Sequence, residues 1–414
     1  MEVHNNTYTL TRCKFIVNPN GEILTNKNIV IQNGVIKDVG DEIEGDEIDC
    51  RKYIVLPGLV NAHTHSPMVV LRGYYDDAEL NEWLSKMWEF ERNMSKDLMK
   101  LGSEISILEM LSQGTTAFID MYFNPEDVKE LSEKYKIRAF AGYTFLDELF
   151  DAYEIDKLQR ALRESEYFKP IVNVHSLYAN SIKTILLAKQ LAEERKTWIH
   201  IHVSETRKEL YEIKRRTGLF PVEYMNSIGL LNENTQLVHL GWVASWEIEL
   251  IKKANSKVTY CPTSNMKLAT GGAFPLEDMI KNEITVTIGT DGAASNNSLD
   301  LFREMKNGVL LQRQMYWNTR VKALDLLRLA TINGYKLIGI KGGEIKPNNV
   351  ADLVLINSEL VYPLYKERLI SHIVYYITSE YIEKTIVNGV INDKKRLRDI
   401  LREKVKRLYD MLNS

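Results

Sequence analysis

From about residue 56 to residue 339 the chain repeats one rhythm: a short apolar run, a polar turn, then an amphipathic stretch. Apolar runs of a few residues read as buried strands, and apolar positions spaced three and four apart read as the buried face of a helix. Strands are predicted on this basis at 56–61, 115–121, 138–145, 170–175, 197–202, 235–240, 257–261 and 284–290. Helices are predicted between them, for example over 182–195 and 209–228, and one more follows the last strand over 323–339. Strand and helix alternating eight times is the pattern of a parallel (β/α)₈ barrel. An open doubly wound sheet is the competing reading, but no glycine-rich phosphate fingerprint follows the first strand.

The two ends of the chain have a different style. Phe15-Ile16-Val17 runs into Asn18-Pro19-Asn20-Gly21, and Ile29-Val30-Ile31 reaches Asn33-Gly34 before Val35-Ile36. Asn-Gly between apolar runs marks a tight hairpin, because the turn needs positive φ. The device returns at Asn388-Gly389, shortly after a buried-strand pattern at 351–356. Both ends are therefore expected to build one small β-sandwich domain, from 1–56 and from 341–414 with a terminal helix, around a barrel spanning 57–340.

Composition narrows the class. A chain of 414 residues exceeds a usual single core, which suits a large domain with a smaller one. With 44% hydrophobic and 26% charged residues it reads as an ordinary folded protein. A net charge of -3 argues against a nucleic-acid carrier. The basic clusters Lys214-Arg215-Arg216 and Lys394-Lys395-Arg396 are read as solvated helix faces. No leader is read in Met1-Glu2-Val3-His4-Asn5-Asn6, and no apolar run would span a bilayer. Cys13, Cys50 and Cys261 stand far apart, which fits reduced thiols and a cytoplasmic setting.

The candidate chemistry lies in the histidines. Of 8 in the chain, His63, His65, His175, His200, His202 and His239 fall at predicted barrel strands, and Asp291 leaves the last one. Strand ends of such a barrel converge on one face, and buried polar groups there are costly unless something binds them. Imidazoles and a carboxylate arriving from separate strands point to a cation. Residues two apart on a strand share a face, so His63 and His65 of His63-Thr64-His65 can reach one ion. In His200-Ile201-His202 the second lies nearer the strand end; His202 is taken as ligand and His200 as a deeper, hydrogen-bonded core histidine. Glu205 can face the ion only if the strand ends near Ser204 and the chain turns.

These residues resemble the amidohydrolase superfamily, and within it the deaminases of methylthioadenosine and S-adenosylhomocysteine. The resemblance rests on Pro57-Gly58-Leu59-Val60-Asn61-Ala62-His63-Thr64-His65, on Leu71-Arg72-Gly73, and on His202-Val203-Ser204-Glu205-Thr206. Cys261-Pro262-Thr263-Ser264-Asn265-Met266-Lys267-Leu268-Ala269 and the run from Thr290 to Leu299 complete it. It implies a metal-dependent hydrolytic deaminase of adenosine-type nucleosides, with one divalent ion held by His63, His65, His202 and Asp291. Zinc is the expected metal and iron(II) the alternative. Relatives with two metals carry a lysine on strand four, and Val172-Asn173-Val174-His175 has none.

The resemblance further implies Glu91 as the partner of the ribose hydroxyls and His175 as a substrate contact. Asp291 would accept a proton from the attacking water, Glu205 would protonate N1 of the purine, and His239 would hydrogen-bond the attacking oxygen. The expected partner is a small nucleoside (5'-methylthioadenosine, S-adenosylhomocysteine, adenosine or 5'-deoxyadenosine), with no nucleic acid, no membrane and a homo-oligomeric assembly. One departure bears on specificity. Relatives that accept S-adenosylhomocysteine present arginines after strand three, whereas here Tyr143 is followed by Asp147, Glu148, Asp151, Glu154 and Asp156. The neutral 5' substituents are therefore better suited. The alternatives are deamination of a free nucleobase, hydrolysis of a triazine, or a barrel kept only as a binding scaffold.

Overall fold

A computed structural model describes residues 7–413 of the chain. Residues 1–6, on which the reading of no leader rests, lie outside the described residues.

The parallel barrel forms from strands in chain order: Leu59–Thr64, Thr115–Tyr122, Arg138–Phe145, Val172–Ser176, Ile199–Val203, Thr235–His239, Lys257–Tyr260 and Val286–Ile288. A short strand, Phe168–Pro170, adds to the third. The last strand meets the first through individual bonds: Asp291 N donates to His63 O at 2.9 Å, and Thr290 N to Asn61 Oδ1 at 3.0 Å. Helices cover the outside and side chains fill the inside, so every residue of the first, second, fifth and sixth strands is buried. That double burial explains why the strands read as continuous apolar runs, not as alternating ones.

Several strands differ from the expected bounds by one or two residues, and three elements differ for a clear local reason. The first barrel strand starts at Leu59, because Tyr53–Pro57 pairs antiparallel with Leu353–Asn357 in the other sheet. Gly58 makes the handover: its N–H reaches Asp352 O at 2.8 Å, and a Cβ there would lie 2.3 Å from Thr116 Oγ1. The helix expected over 209–228 is two, Arg207–Thr217 and Pro221–Ser227, parted by Gly218 at φ 79° and restarted by Pro221. The one expected over 323–339 is also two, Ala323–Ala330 and Ile332–Ile338. Thr331 breaks it at φ −118°, ψ −100°, with its hydroxyl donating to Leu327 O at 2.5 Å; Gly339 ends the second piece in the left-handed region.

Both chain ends enter one eight-stranded sheet, made of Thr7–Val17, Ile23–Gln32, Val35–Gly40, Asp46–Asp49 and Tyr53–Pro57 with Leu353–Asn357, Ile382–Val387 and Val390–Asp393. The hairpins turn at Asn33-Gly34 (φ 51° and 76°) and Asn388-Gly389 (φ 50° and 76°). The sheet curls until these two tips touch; a Cβ on Gly389 would lie 3.0 Å from Gly34 Cα. Leu10, Ile29, Ile31, Val55, Leu353, Leu355 and Ile386 fill the space it encloses, so a single sheet supplies both layers of the sandwich.

The small sheet is bolted to the amino-terminal end of the barrel. Arg138, the first residue of the third strand, donates to Asp352 at 2.9 and 3.2 Å, and Tyr335 Oη and Asn388 N reach the same carboxylate at 2.7 and 2.6 Å. The terminal helix, Lys394–Leu412, packs along Lys96–Ser112. One basic cluster departs from the solvated reading: Lys394 is buried and donates to Ser379 O at 2.5 Å, so burial lowers its pKa to about 8. Among the described residues no helix is long and apolar enough to cross a membrane.

Candidate active site

Apart from Glu91, which ends the helix Leu80–Glu91, and His200, which lies within the fifth strand, the candidate residues sit where barrel strands stop. His63 is the penultimate residue of the first strand and His65 follows its end. The fifth strand ends at Val203, and Ser204 at φ 52° turns the chain so that Glu205 faces inward. This is the turn that the sequence requires for Glu205 to serve. His239 and Asp291 also take positive φ, 80° and 65°. His175 lies at an irregularity in the pairing of strands four and five.

The side chains converge. His63 Nε2 lies 3.1 Å from His202 Nε2 and 3.6 Å from Asp291 Oδ1, and His65 Nε2 lies 3.2 Å from the same oxygen. Ligand atoms of His63, His65 and His202 fall within 4.8 Å of one another, as do those of His63, His239 and Asp291. A tetrahedral zinc with bonds of about 2.0 Å separates its ligand atoms by about 3.3 Å, so this spacing and donor set fit such an ion.

Fixed partners hold these groups. His65 Nδ1 meets Met121 O at 2.6 Å, and Asp120 grips the chain around it by accepting from Thr64 Oγ1, Ser66 N and Ser66 Oγ at 2.6–2.8 Å. Asp291 accepts from Ser264 Oγ at 2.7 Å and from Gly292 N at 2.6 Å. His239 Nδ1 rests on Asn265 Oδ1 at 2.8 Å, and its Nε2 lies 3.7 Å from Glu205 Oε1. Glu209 takes the N–H groups of Ser204 and Glu205 at 3.0 and 2.9 Å, which orients the turn that carries Glu205.

Burial sets the protonation states. Burial lowers His63 to about 4 and His175 to about 3, and it takes His202 well below the ordinary imidazole value. Burial also opposes the charge on Asp291, yet His63 and His65 hold that carboxyl well below its usual range. Glu205 is pushed up to about 8, by burial first and by the Asp291 charge second. It is therefore largely a protonated acid at neutral pH. Burial raises Glu91 to about 7 against the hydrogen bond from Tyr122 Oη at 2.7 Å.

A pocket opens beside this cluster. His65, His202, Glu205, His239 and Asp291 form its floor, His175 and Glu91 its walls, and Trp88, Tyr122 and Tyr178 supply aromatic surface. Trp88 and Tyr178 both meet the His175 ring edge-on. Every candidate except His63 and His200 lines the space; those two lie beneath it, within the barrel. Tyr143 does not line it: its hydroxyl is bonded to Glu126, and the neighbouring Thr144 faces the pocket instead. Sequence reasoning missed Glu209, Asn265, Ser264 and Tyr122. Ser264 and Asn265 stood in the segment that carries the resemblance but were given no role, and Glu209 showed only as the acid three residues after the Thr206 helix cap, where it reads as an ordinary first-turn charge.

A parallel barrel with histidines and an aspartate gathered at its strand ends defines a metal-dependent hydrolase, and the chain belongs to the amidohydrolase family, whose model matches residues 54–391. It is similar to the 5-methylthioadenosine/S-adenosylhomocysteine deaminase of Pyrococcus furiosus, with 36% identity over 89% of this chain and 91% of that one. It is also similar to the 5'-deoxyadenosine deaminase of Methanocaldococcus jannaschii, with 35% identity over 94% and 97%. Among solved structures, an adenosine deaminase from Xanthomonas campestris with bound zinc superposes with a TM-score of 0.88 at 24% identity, over 97% of this chain and 98% of that one.

Proposed function

We propose that the chain is a hydrolytic deaminase that converts the 6-amino group of adenosine-type nucleosides to the inosine analogue and releases ammonia. One observation carries the reading: a buried acid, Glu205, and a half-buried acceptor, Glu91, line the same aromatic pocket beside a histidine and aspartate cluster. The names of the similar deaminases agree with it. His63, His65, His202 and Asp291 would hold the divalent ion, zinc first and iron(II) as the alternative. When bound, such an ion supplies Lewis acidity that brings the pKa of water to about 7.

The chain's own groups do the rest. Glu91, steadied by Tyr122, accepts the ribose hydroxyls, while His175 and the aromatic walls hold the purine. Asp291 accepts a proton from the water that attacks C6, and His239 hydrogen-bonds the attacking oxygen. Glu205 gives its proton to N1, which offsets charge developing on the ring; as the C6 hydroxyl becomes the carbonyl its proton returns to Glu205, and the proton held by Asp291 passes to the amino group, which leaves as ammonia.

The mouth of the pocket favours a neutral 5' substituent. Of the acids after strand three, Asp147 accepts from Ser181 N and Thr184 Oγ1, and Glu148 pairs with Arg92 at 2.6 Å. Of the cations nearby, Arg216 donates to Leu177 O at 2.8 Å, and Lys208 is exposed, 3.4 Å from Asn81 Oδ1. 5'-Methylthioadenosine, adenosine and 5'-deoxyadenosine are thus preferred over S-adenosylhomocysteine. On this reading 57–340 is the catalytic domain, 1–56 with 341–414 the small β domain, and the enzyme works as a homo-oligomer in the cytoplasm.

Ultraviolet monitoring of a panel tests the proposal: adenosines with different 5' substituents, adenine, guanine and triazines. The nucleosides with neutral 5' groups should turn over fastest. Turnover confined to free bases or triazines would overturn the reading.

A further inference from the structure

Beneath the cluster, a chain of hydrogen bonds crosses the barrel interior from strand four to strand five to strand one. Asn173 Nδ2 donates to two main-chain carbonyls, Asp120 O at 2.9 Å and Gly142 O at 2.8 Å. A carbonyl only accepts, so both amide protons are committed and Asn173 Oδ1 must face His200 as an acceptor. His200 Nδ1, 3.0 Å away, therefore carries a proton. His200 is fully buried, and among the described residues no carboxylate lies within hydrogen-bond reach of it, so a second proton would leave a charge without compensation. Its Nε2 is then a lone pair, 2.9 Å from His63 Nδ1. His63 must donate from Nδ1, which leaves its Nε2 unprotonated and aimed at His202 Nε2 and Asp291.

We propose that Asn173 and His200 are positioning residues whose one-directional relay fixes His63 in the tautomer that ligates through Nε2. The proposal rests on reading the cluster above as a divalent-cation site. Neither residue touches the pocket; each acts through His63. A partner of this kind sets ring orientation and raises the basicity of the ligand.

Two measurements test it. Metal-free protein is titrated with zinc(II) in competition with a chelator of known affinity. His200→Leu, which offers His63 no acceptor, should weaken zinc binding by about 10–100-fold, the usual effect of losing such a partner. His200→Gln keeps an amide oxygen for His63 Nδ1 and an N–H₂ for Asn173, and should bind within about threefold of the wild type. The metal-free leucine variant, which leaves His63 Nδ1 and Asn173 Oδ1 without partners, should unfold at a lower midpoint than the glutamine variant, so zinc binding is compared at a temperature where both are folded. Equal loss in both variants, or no loss in the leucine variant, would overturn the relay.

The second measurement needs no variant. Ring-nitrogen spectra of ¹⁵N-histidine-labelled, metal-free wild type should show His63 and His200 protonated at Nδ1, and a His63 proton on Nε2 would overturn the proposal. A wild type that binds no zinc while showing those tautomers would sink the metal reading and leave the relay standing.

Discussion

The two ends of the barrel bury charge in opposite ways. At the amino-terminal end the Arg138 guanidinium meets the Asp352 carboxylate, which also collects Tyr335 Oη and Asn388 N. Burial opposes the Arg138 charge, and Asp352 more than restores it. At the carboxyl-terminal end Asp291, Glu205 and Glu209 are buried and Glu91 is half-buried at the pocket wall, with no lysine or arginine among the groups that line the pocket. There burial raises Glu91 and Glu209 to about 7 and Glu205 to about 8. A buried ion whose partner is built in serves the fold. Buried acids left short of counter-charge hold protons that can be moved, and that is a site.

The largest effects should come from breaking each end at its key group. Glu205→Gln keeps the shape but removes the transferable proton, so kcat should fall by about 10²–10⁴-fold, the usual share of general acid–base catalysis. Zinc content and unfolding midpoint should stay close to wild type. Near-normal turnover in steady-state assays would contradict the proton role. At the other end, Asp352→Ala strands a buried guanidinium and should cost about 3–5 kcal/mol in urea unfolding. The folded fraction should keep its kcat, because Asp352 lies outside the pocket. If the two variants exchanged phenotypes, the division of labour between the ends would be wrong.

The same division decides what could be read from the chain. Ligand candidates were legible because strand parity is local: His63 and His65 share a face through spacing alone, and the turn that Glu205 needs is one residue away, at Ser204. Partners set by tertiary packing were not legible. His200 meets Asn173 across 27 positions and His63 across 137, and no periodicity records such a pairing. Asp352 is the one acid within the buried-strand pattern at 351–356; only the fold shows that Arg138, 214 positions away, ends beside it. The eight-fold rhythm revealed the barrel, yet it ran the first strand through Gly58, where the chain leaves one sheet for the other. Thr331 broke a helix that propensity carried through, because its hydroxyl and its backbone angles serve a corner that the neighbouring elements impose.

A gentler test separates binding from chemistry within the site. Glu91 sits at the pocket wall with burial raising its pKa to about 7, against the Tyr122 hydroxyl and the His65 charge, which favour ionisation. An ionised carboxylate accepts both ribose hydroxyls, whereas the protonated acid must spend one oxygen as a donor. The sign follows: acid removes the acceptor form, so KM for nucleosides should rise as pH falls through about 7. The rise cannot exceed about tenfold per pH unit for a single titrating group. Between pH 8 and 6 the increase should be several-fold in the wild type and absent in Glu91→Gln, whose KM stays high throughout. Adenine has no ribose for Glu91 to hold, so its inhibition constant should not follow the Glu91 titration. A wild-type KM that is flat across that range, or a slope that survives in the glutamine variant, would remove Glu91 from ribose recognition while leaving the reaction at the pocket floor untouched.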